Sequence, residues 1–232
     1  DIARAIDTQD WELVRDVLTT LNNYMASADD LIERCHFPRF RDRPMLTSAQ
    51  ERYLKQALVA AMGIWKRMTD LQDTAVQITH DGYLKLYQLS KPDLSQRFDC
   101  VLLDEGQDVN PVIADIVRIQ SIRKVAVGDR HQQIYRFRGA EDALNASWMS
   151  GAEKHYLTQS FRFGPAVAHV PNIILSYKGE TRKLQGLGEK TLVKKALPAG
   201  LPHRTYIHRT VIGVIENALC LVTEKPKIYW VG

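Results

Sequence analysis

Two short apolar runs, each stopping abruptly in acid, constrain this chain more than anything else in it. The first lies in FDCVLLDEGQD, Phe98–Asp108, and the second in VAVGDRHQQIYRFRGA, Val125–Ala140. Val101–Leu103 reads as a buried strand ending in Asp104 and Glu105, and Val125–Val127 as another ending at Gly128-Asp129. Between them Asn110 and Pro111 suit an N-cap and a first helical position, with Val112, Ile113, Ile116 and Val117 as the inner face. Strand, helix, strand is the unit of a parallel sheet, so both acidic clusters are expected at carboxyl ends of adjacent or near-adjacent strands. Open α/β sheets place their ligands there.

The residues before this unit read as helical. Trp11, Val14, Leu18, Leu21, Met25 and Ala28 recur at three and four residues and define one stripe. Ser48–Glu51 has the S-x-x-E form of a capping box, and Leu54, Ala57, Leu58, Ala61, Trp65 and Met68 supply the buried face that follows. His36–Pro44, with two prolines, two phenylalanines and four basic arginine or histidine side chains, reads as an exposed connection, or as a nucleic-acid contact. After Ser150 a new unit begins. His155–Leu175 reads as strand, polar turn and helix, with Pro165 near the helix start and Pro171 predicting a kink. Lys178–Lys195 reads as loop, Thr205–His208 as a strand, Val211–Val222 as a helix and Lys227–Val231 as a strand.

Composition settles broad class. With 45% hydrophobic and 25% charged residues the chain is expected to be globular, and its net charge of +4 permits nucleic-acid contact without requiring it. Cys35, Cys100 and Cys220 stand in neither disulfide nor zinc spacing, which fits a reducing, intracellular compartment. No apolar run approaches the length of a membrane span, so no membrane partner is expected. The first residue is not Met, and the chain is expected to begin inside a longer one.

Carboxylates at a strand end suit Mg²⁺-assisted phosphoryl transfer: Asp104 can hold the ion while Glu105 orients and deprotonates a water. In an extended chain the two side chains point to opposite sides and can do different jobs. Gln132 can donate its amide to a phosphate oxygen, and Asp129 can support the metal shell. Tyr135 and Phe137 alternate with Arg136 and Arg138, offering flat faces for bases and cations for the backbone of a single strand; the alternative makes the two aromatics core residues of an edge strand. In QSFRFG, Arg162 can act as an arginine finger on a γ-phosphate and Phe161 can stack on a purine. A phosphate-cradling G-x-x-x-x-G-K-S/T is absent from the sequence, and the nearest decoy, GLGEKT at Gly186–Thr191, reads as loop.

These residues resemble the superfamily 1 DNA helicases of the UvrD/Rep type, and most closely their F-box DNA helicase branch. LLDEGQD is similar to that family's Walker B motif, VGDRHQQIYRFRGA to its motif III and LTQSFRFGPAV to its motif IV. ITHDGYLKLYQLS, Ile78–Ser90, resembles the segment preceding Walker B, and HRTVIGVIENAL followed by KIYWVG resembles the strand, helix, strand of the second motor domain. Residues 1–70 match only as a helical insertion. The departures are Gly106 for the usual Ala, Arg130 for a small residue or Pro, and Pro171 within the helix after motif IV.

The resemblance implies an α/β fold made of partial RecA-like (P-loop NTPase) parallel-sheet motor domains with a helical N-terminal arm. Residues 1–75 would be the arm inserted in the first motor domain, 76–150 part of that domain, and 151–232 the start of the second. It implies ATP and Mg²⁺ as cofactors, single-stranded and duplex DNA as partners, and 3′ to 5′ stepping in DNA repair or recombination. Asp104 would hold Mg²⁺, Glu105 activate water, Gln132 sense the γ-phosphate, Asp129 and Phe161 bind nucleotide, Arg162 serve as finger, and Tyr135, Phe137 and Arg138 contact single-stranded DNA. Walker A and motifs V and VI lie outside this chain, so by itself it is expected to be inactive. Two rivals remain: a non-catalytic module binding single strands or a protein partner, and a metal-dependent nuclease using Asp104, Glu105, Asp108 and Asp129.

Overall fold

A computed structural model of the chain describes residues 8–136, 139–196, 204–222 and 227. The chain divides into two compact units, residues 1–153 and 154–232.

The first unit starts with helix α1, Trp11–Met25, capped by Asp10, whose carboxylate accepts from the Glu12 and Leu13 amides. Its buried face holds Leu13, Val17 and Tyr24 beside the expected Val14, Leu21 and Met25. Trp11 and Leu18 fall outside it, at 74% and 37% exposure. They lie at the solvent edge because a face centred on Leu13, Val17 and Tyr24 turns them most of the way round the helix. Ala28 lies beyond the helix end.

Helix α2, Ser48–Met68, begins one residue earlier than the S-x-x-E pattern implies: Thr47 is the N-cap, and the reciprocal partner is Gln50. Leu54, Ala57, Ala61, Ile64 and Met68 face α1, while Leu58 and Trp65 are half-buried. The connection from His36 to Pro44 is exposed at its prolines, arginines and aspartate, as expected, but not at three residues. His36, Phe37 and Phe40 are 3%, 0% and 8% accessible and complete this core, each large apolar side chain contributing about 1.5–3 kcal/mol. Arg39 pairs with Glu12 and, at 2.7 Å, with the buried Asp16, whose other partner is the Tyr53 hydroxyl at 2.9 Å. The segment is anchored rather than loose because its aromatics join the core of α1 and α2 while Arg39 answers a buried carboxylate.

Helix α3, His80–Leu89, is capped by Thr79 and presents two buried polar side chains, Lys85 and Gln88. The Lys85 ammonium donates to the Ser27 and Asp29 carbonyls at 2.9 and 2.5 Å and lies 4.6 Å from the centre of the Tyr24 ring. Gln88 donates to the Ala28 carbonyl at 3.2 Å and to Asp115 at 2.7 Å. Lys91, left-handed at φ 48°, reaches Asp30 at 2.7 Å and Asp115 at 3.4 Å. Burial raises the Asp115 pKa, but hydrogen bonds from Gln88 and Arg118 and the Lys91 charge prevail and hold it below the ordinary carboxylate value.

Strand β1, Cys100–Leu103, helix α4, Pro111–Arg118, and strand β2, Arg123–Ala126, follow in order. β1 and β2 pair directly and in parallel, Cys100 against Arg123 through Leu103 against Ala126. Asn110 caps α4 and Pro111 takes its first position, as the sequence predicts. Val101, Leu103 and Ala126 pack with Ala114 and Val117 of α4 and with Trp148. Ile113, expected inside, is 37% exposed, and Ala114 takes its place. The strands are not buried on both faces. Leu102, Val125 and Val127 are 76%, 40% and 51% exposed because, among the described residues, only the face toward α4 is covered.

The second unit holds strand β3, Gln159–Ser160, helix α5, Pro165–Tyr177, strand β4, Gln185–Gly186, and helix α6, Val211–Val222. β3 and β4 pair in parallel, so the stretch expected to be all loop contributes a strand. Pro165 opens α5 and Pro171 lies within it. Thr205–His208, expected as a strand, is irregular and exposed, with no ladder partner among the described residues. The strand expected at Lys227–Val231 lies outside the described residues save for Lys227. Among the described residues no helix is long and apolar enough to cross a membrane.

Burial pushes the Lys85 pKa down from 10.5 to about 8, a value the nearby Asp29 and Asp30 charges only partly restore. Between those two values the unfolded chain binds the extra proton, so folded stability rises with pH across that window. The Tyr24 and Tyr53 hydroxyls, raised chiefly by burial above their ordinary value of 10, pull stability down only beyond it. Urea titrations from about pH 7.5 to about pH 9.5 should show the wild type gaining stability relative to Lys85→Met.

Candidate functional site

The end of β1 and the end of β2 meet at one sheet edge. Beyond the last ladder pair the strands keep exchanging hydrogen bonds, Val127 N–H donating to the Leu103 carbonyl at 2.8 Å and Gly106 N–H to the Val127 carbonyl at 2.9 Å. Asp104 is exposed, and its carboxylate accepts from the Glu105 amide at 2.9 Å. Glu105 is left-handed, φ 51°, rather than extended as the alternation argument requires. Asp104 and Glu105 therefore diverge by a backbone turn and not by strand pleat. A non-glycine residue in this region costs about 1–2 kcal/mol, a strain that persists only where surrounding contacts impose it.

Those contacts centre on Gln107, only 2% accessible. Its side-chain amide donates to the Glu105 carboxylate at 2.7 Å, and its carbonyl oxygen accepts from the Asp129 amide at 2.9 Å. Its backbone carbonyl accepts from the Gln133 side chain at 2.8 Å. Asp129 in turn accepts from the His131 amide and the Gln132 side chain, both at 2.9 Å. One continuous chain of hydrogen bonds thus runs from Glu105 through Gln107 and Asp129 to Gln132. Gly128 makes the approach possible, since a Cβ there would overlap Gln107 Oε1 and come within 2.8 Å of the Gly106 nitrogen. Gly106 sits under Leu144, whose Cδ2 would lie 2.9 Å from an added Cβ. The usual alanine at that position would require only a small shift of a flexible leucine.

Asp108 does not join the carboxylates. Its two oxygens accept from the Ile134 and Tyr135 amides at 3.0 Å each and hold the loop after Gln132. An antiparallel bridge between Val109 and Glu141 closes that loop, and Tyr135 projects from it half-exposed, in no strand. Phe137 and Arg138 lie outside the described residues. Among the described residues, the one group of three or more ligating side chains close enough to share an ion is Asp29, Cys35 and His36. Asp104, Glu105, Asp108 and Asp129 do not converge in that way.

In the second unit, Phe161 and Arg162 follow β3 directly and are exposed, the Arg162 amide donating to Ser160 Oγ at 3.3 Å. The GLGEKT segment folds against them. Leu187 N–H donates to the Ser160 carbonyl at 2.7 Å and Gly188 N–H to the Phe163 carbonyl at 3.0 Å. A Cβ on Gly164 would overlap the Glu189 carbonyl, and one on Gly188 would lie 2.7 Å from the Phe161 carbonyl. These glycines permit backbone to lie on backbone around the turn that presents Phe161 and Arg162. Neither they nor Gln107 stood out in the sequence, although Gln107 was legible as the one neutral hydrogen-bonding side chain inside DEGQD.

Residues 4–147 match the UvrD/REP helicase N-terminal domain. The chain belongs to the UvrD/REP helicase family. It is 41% identical over 185 residues to F-box DNA helicase 1 of Gallus gallus, a match covering 76% of this chain and 17% of that protein. It is 34% identical over 174 residues to F-box DNA helicase protein 1 of Schizosaccharomyces pombe, covering 74% of this chain and 19% of that one. The chain therefore spans less than a fifth of the length of these two relatives.

Gly128→Ala should force Gln107 out of its place, and Gln107→Leu should remove the side-chain partner of the part-buried Asp129 amide. Each is expected to lower unfolding free energy by about 1–3 kcal/mol in urea titration. Gly106→Ala is expected to cost less than either.

Proposed function

We propose that this chain is part of an ATP-dependent helicase that steps 3′ to 5′ along single-stranded DNA and unwinds duplex in repair or recombination. The observation that carries the reading is the hydrogen-bonded line from Glu105 through Gln107 and Asp129 to Gln132 at the carboxyl edge of a parallel strand pair. Residues 1–75 form the helical arm, 76–150 part of a RecA-like first motor domain, and 151–232 the start of the second.

In this reading Asp104, exposed at the sheet edge, would hold Mg²⁺ with support from Asp129, and the ion would supply positive charge to the phosphates. Glu105 accepts the proton of the attacking water; the Gln107 amide keeps that carboxylate oriented while leaving its second oxygen for the water. Gln132, already resting on Asp129, turns its amide to the γ-phosphate when nucleotide arrives. Arg162 stabilises charge on the transferring phosphoryl group and Phe161 stacks on adenine. Tyr135, Phe137 and Arg138 contact single-stranded DNA, coupled to the nucleotide edge because Asp108, one residue from Gln107, holds the Tyr135 amide.

The cradle for the β and γ phosphates is not supplied by any P-loop sequence in these 232 residues. A nuclease reading is disfavoured because Asp108 commits both oxygens to backbone amides and the four carboxylates do not converge. In the longer helicase polypeptide, Glu105→Gln should lower single-strand-stimulated ATP hydrolysis about 10²–10⁴-fold with single-strand affinity retained. The 232-residue chain alone should show no stimulated turnover. Undiminished hydrolysis in Glu105→Gln, or Mg²⁺-dependent DNA cleavage by the chain without ATP, would overturn the assignment.

A further inference from the structure

Asp29, Cys35 and His36 lie far from the strand edge in sequence and have no part in the chemistry proposed there. They occupy the segment between α1 and α2, and the fold brings one potential ligand atom from each to a single point. Cys35 Sγ is 3.8 Å from His36 Nε2 and 3.9 Å from Asp29 Oδ2, and those two atoms are 2.9 Å apart. A tetrahedral Zn²⁺ held by one thiolate, one imidazole and one carboxylate has ligand-to-ligand edges of about 3.3–3.6 Å, given bond lengths near 2.3, 2.0 and 2.0 Å. Each side of the observed triangle comes within about half an ångström of that, a difference that small side-chain rotations close.

The outer partners of the histidine also suit a ligand. Glu33 flanks Nδ1 with both of its backbone groups, its N–H at 2.9 Å and its carbonyl oxygen at 3.2 Å. With no ion bound, Nδ1 accepts the Glu33 N–H and Nε2–H donates to Asp29 and Ser27 Oγ. An ion taking Nε2 shifts the ring proton to Nδ1, where the Glu33 carbonyl stands ready to accept it, the kind of outer hydrogen bond that orients metal-bound histidines. The imidazole itself is fixed, 3% accessible and edge-on to Tyr24 at 5.5 Å, whereas Asp29 and Cys35 face solvent and leave a path for an ion.

We infer that Asp29, Cys35 and His36 form a site for a tetrahedral divalent transition ion of the zinc type, with water in the fourth position. Thiolate and imidazole together select Zn²⁺ or Co²⁺ over Mg²⁺ and Ca²⁺. The ion staples the turn whose carbonyls Lys85 and Gln88 grip, and so braces the seating of the helical segment on α3. Cysteine spacing gave no sign of it because the set uses one cysteine, its neighbouring histidine and an aspartate brought back by the turn.

The test is a Co²⁺ titration of the metal-free 232-residue chain. Wild type should bind one Co²⁺ with a thiolate-to-cobalt charge-transfer band and tetrahedral d–d absorption, both abolished by Zn²⁺. Cys35→Ser should lose the charge-transfer band, and Asp29→Asn should weaken binding at least about tenfold. Both positions are exposed, so each variant should keep the wild-type circular dichroism. Zn²⁺ should raise the thermal midpoint of wild type and not of Cys35→Ser. Absence of the band in wild type at saturating Co²⁺, or a band of equal strength in Cys35→Ser, overturns the site.

Discussion

One primary amide fixes the geometry of the strand edge. Gln107 is the only side chain joining the end of β1 to the backbone at the end of β2 among the described residues, and it does so by using both halves of its amide at once. A glutamate there would offer no donor to Glu105 and would set two carboxylates against each other; an asparagine would fall short by one methylene. Because Gln107 is shut away from water, its hydrogen bonds are stronger than they would be on the surface, and its loss removes both links at once. The left-handed turn at Glu105 and the glycine at position 128 follow from it. The first aims the carboxylate at the amide, and the second clears the space the amide fills.

A second set of buried polar contacts ties the helical segment to the same unit. Asp115, on the outer side of α4, takes hydrogen bonds from Gln88 and Arg118 and the charge of Lys91. Lys91 and Gln88 also reach Asp30 and the Ala28 carbonyl, so α4 and the turn after α1 are joined through α3. Apolar contact alone would let helices slide against one another at little cost, whereas paired and buried charges fix register because any displacement leaves one unanswered. Asp16, answered by Arg39 and Tyr53, does the same between α1 and α2.

Much of this was legible in the sequence, and the failures share a cause. Strand, helix and strand from Cys100 to Ala126, the Asn110-Pro111 start and the placement of Asp104, Glu105, Asp129 and Gln132 at one edge all follow from local patterns that tertiary contacts do not override. What escaped were long-range pairings. His36–Pro44 reads as a surface connection from its arginines and prolines, which are exposed, while the burial of His36, Phe37 and Phe40 depends on how the helices on either side of it pack together. Gln107 and Gly128 read as ordinary turn residues until the strands are placed side by side. The GLGEKT stretch, read as loop on its sequence, packs on the turn bearing Phe161 and Arg162, a contact that pairing between Gln159–Ser160 and Gln185–Gly186 creates.

The discrepancy over the strands carries information of its own. Val101–Leu103 and Val125–Val127 are written in the continuous apolar code of strands covered on both faces, yet Leu102, Val125 and Val127 stand open. Parallel sheets are sandwiched between layers almost without exception, because a bare face forfeits about 25 cal/mol for every Å² of apolar surface left in water. A sequence that places three large apolar residues on that face is encoding a cover. Under the RecA-like reading the cover is the remainder of the motor domain, and the strands that complete the sheet also bring the phosphate cradle to the edge where Glu105 and Gln132 wait. Among the described residues the sheet then lacks two things at once, neighbours along its edges and a layer over the face that carries Leu102, Val125 and Val127.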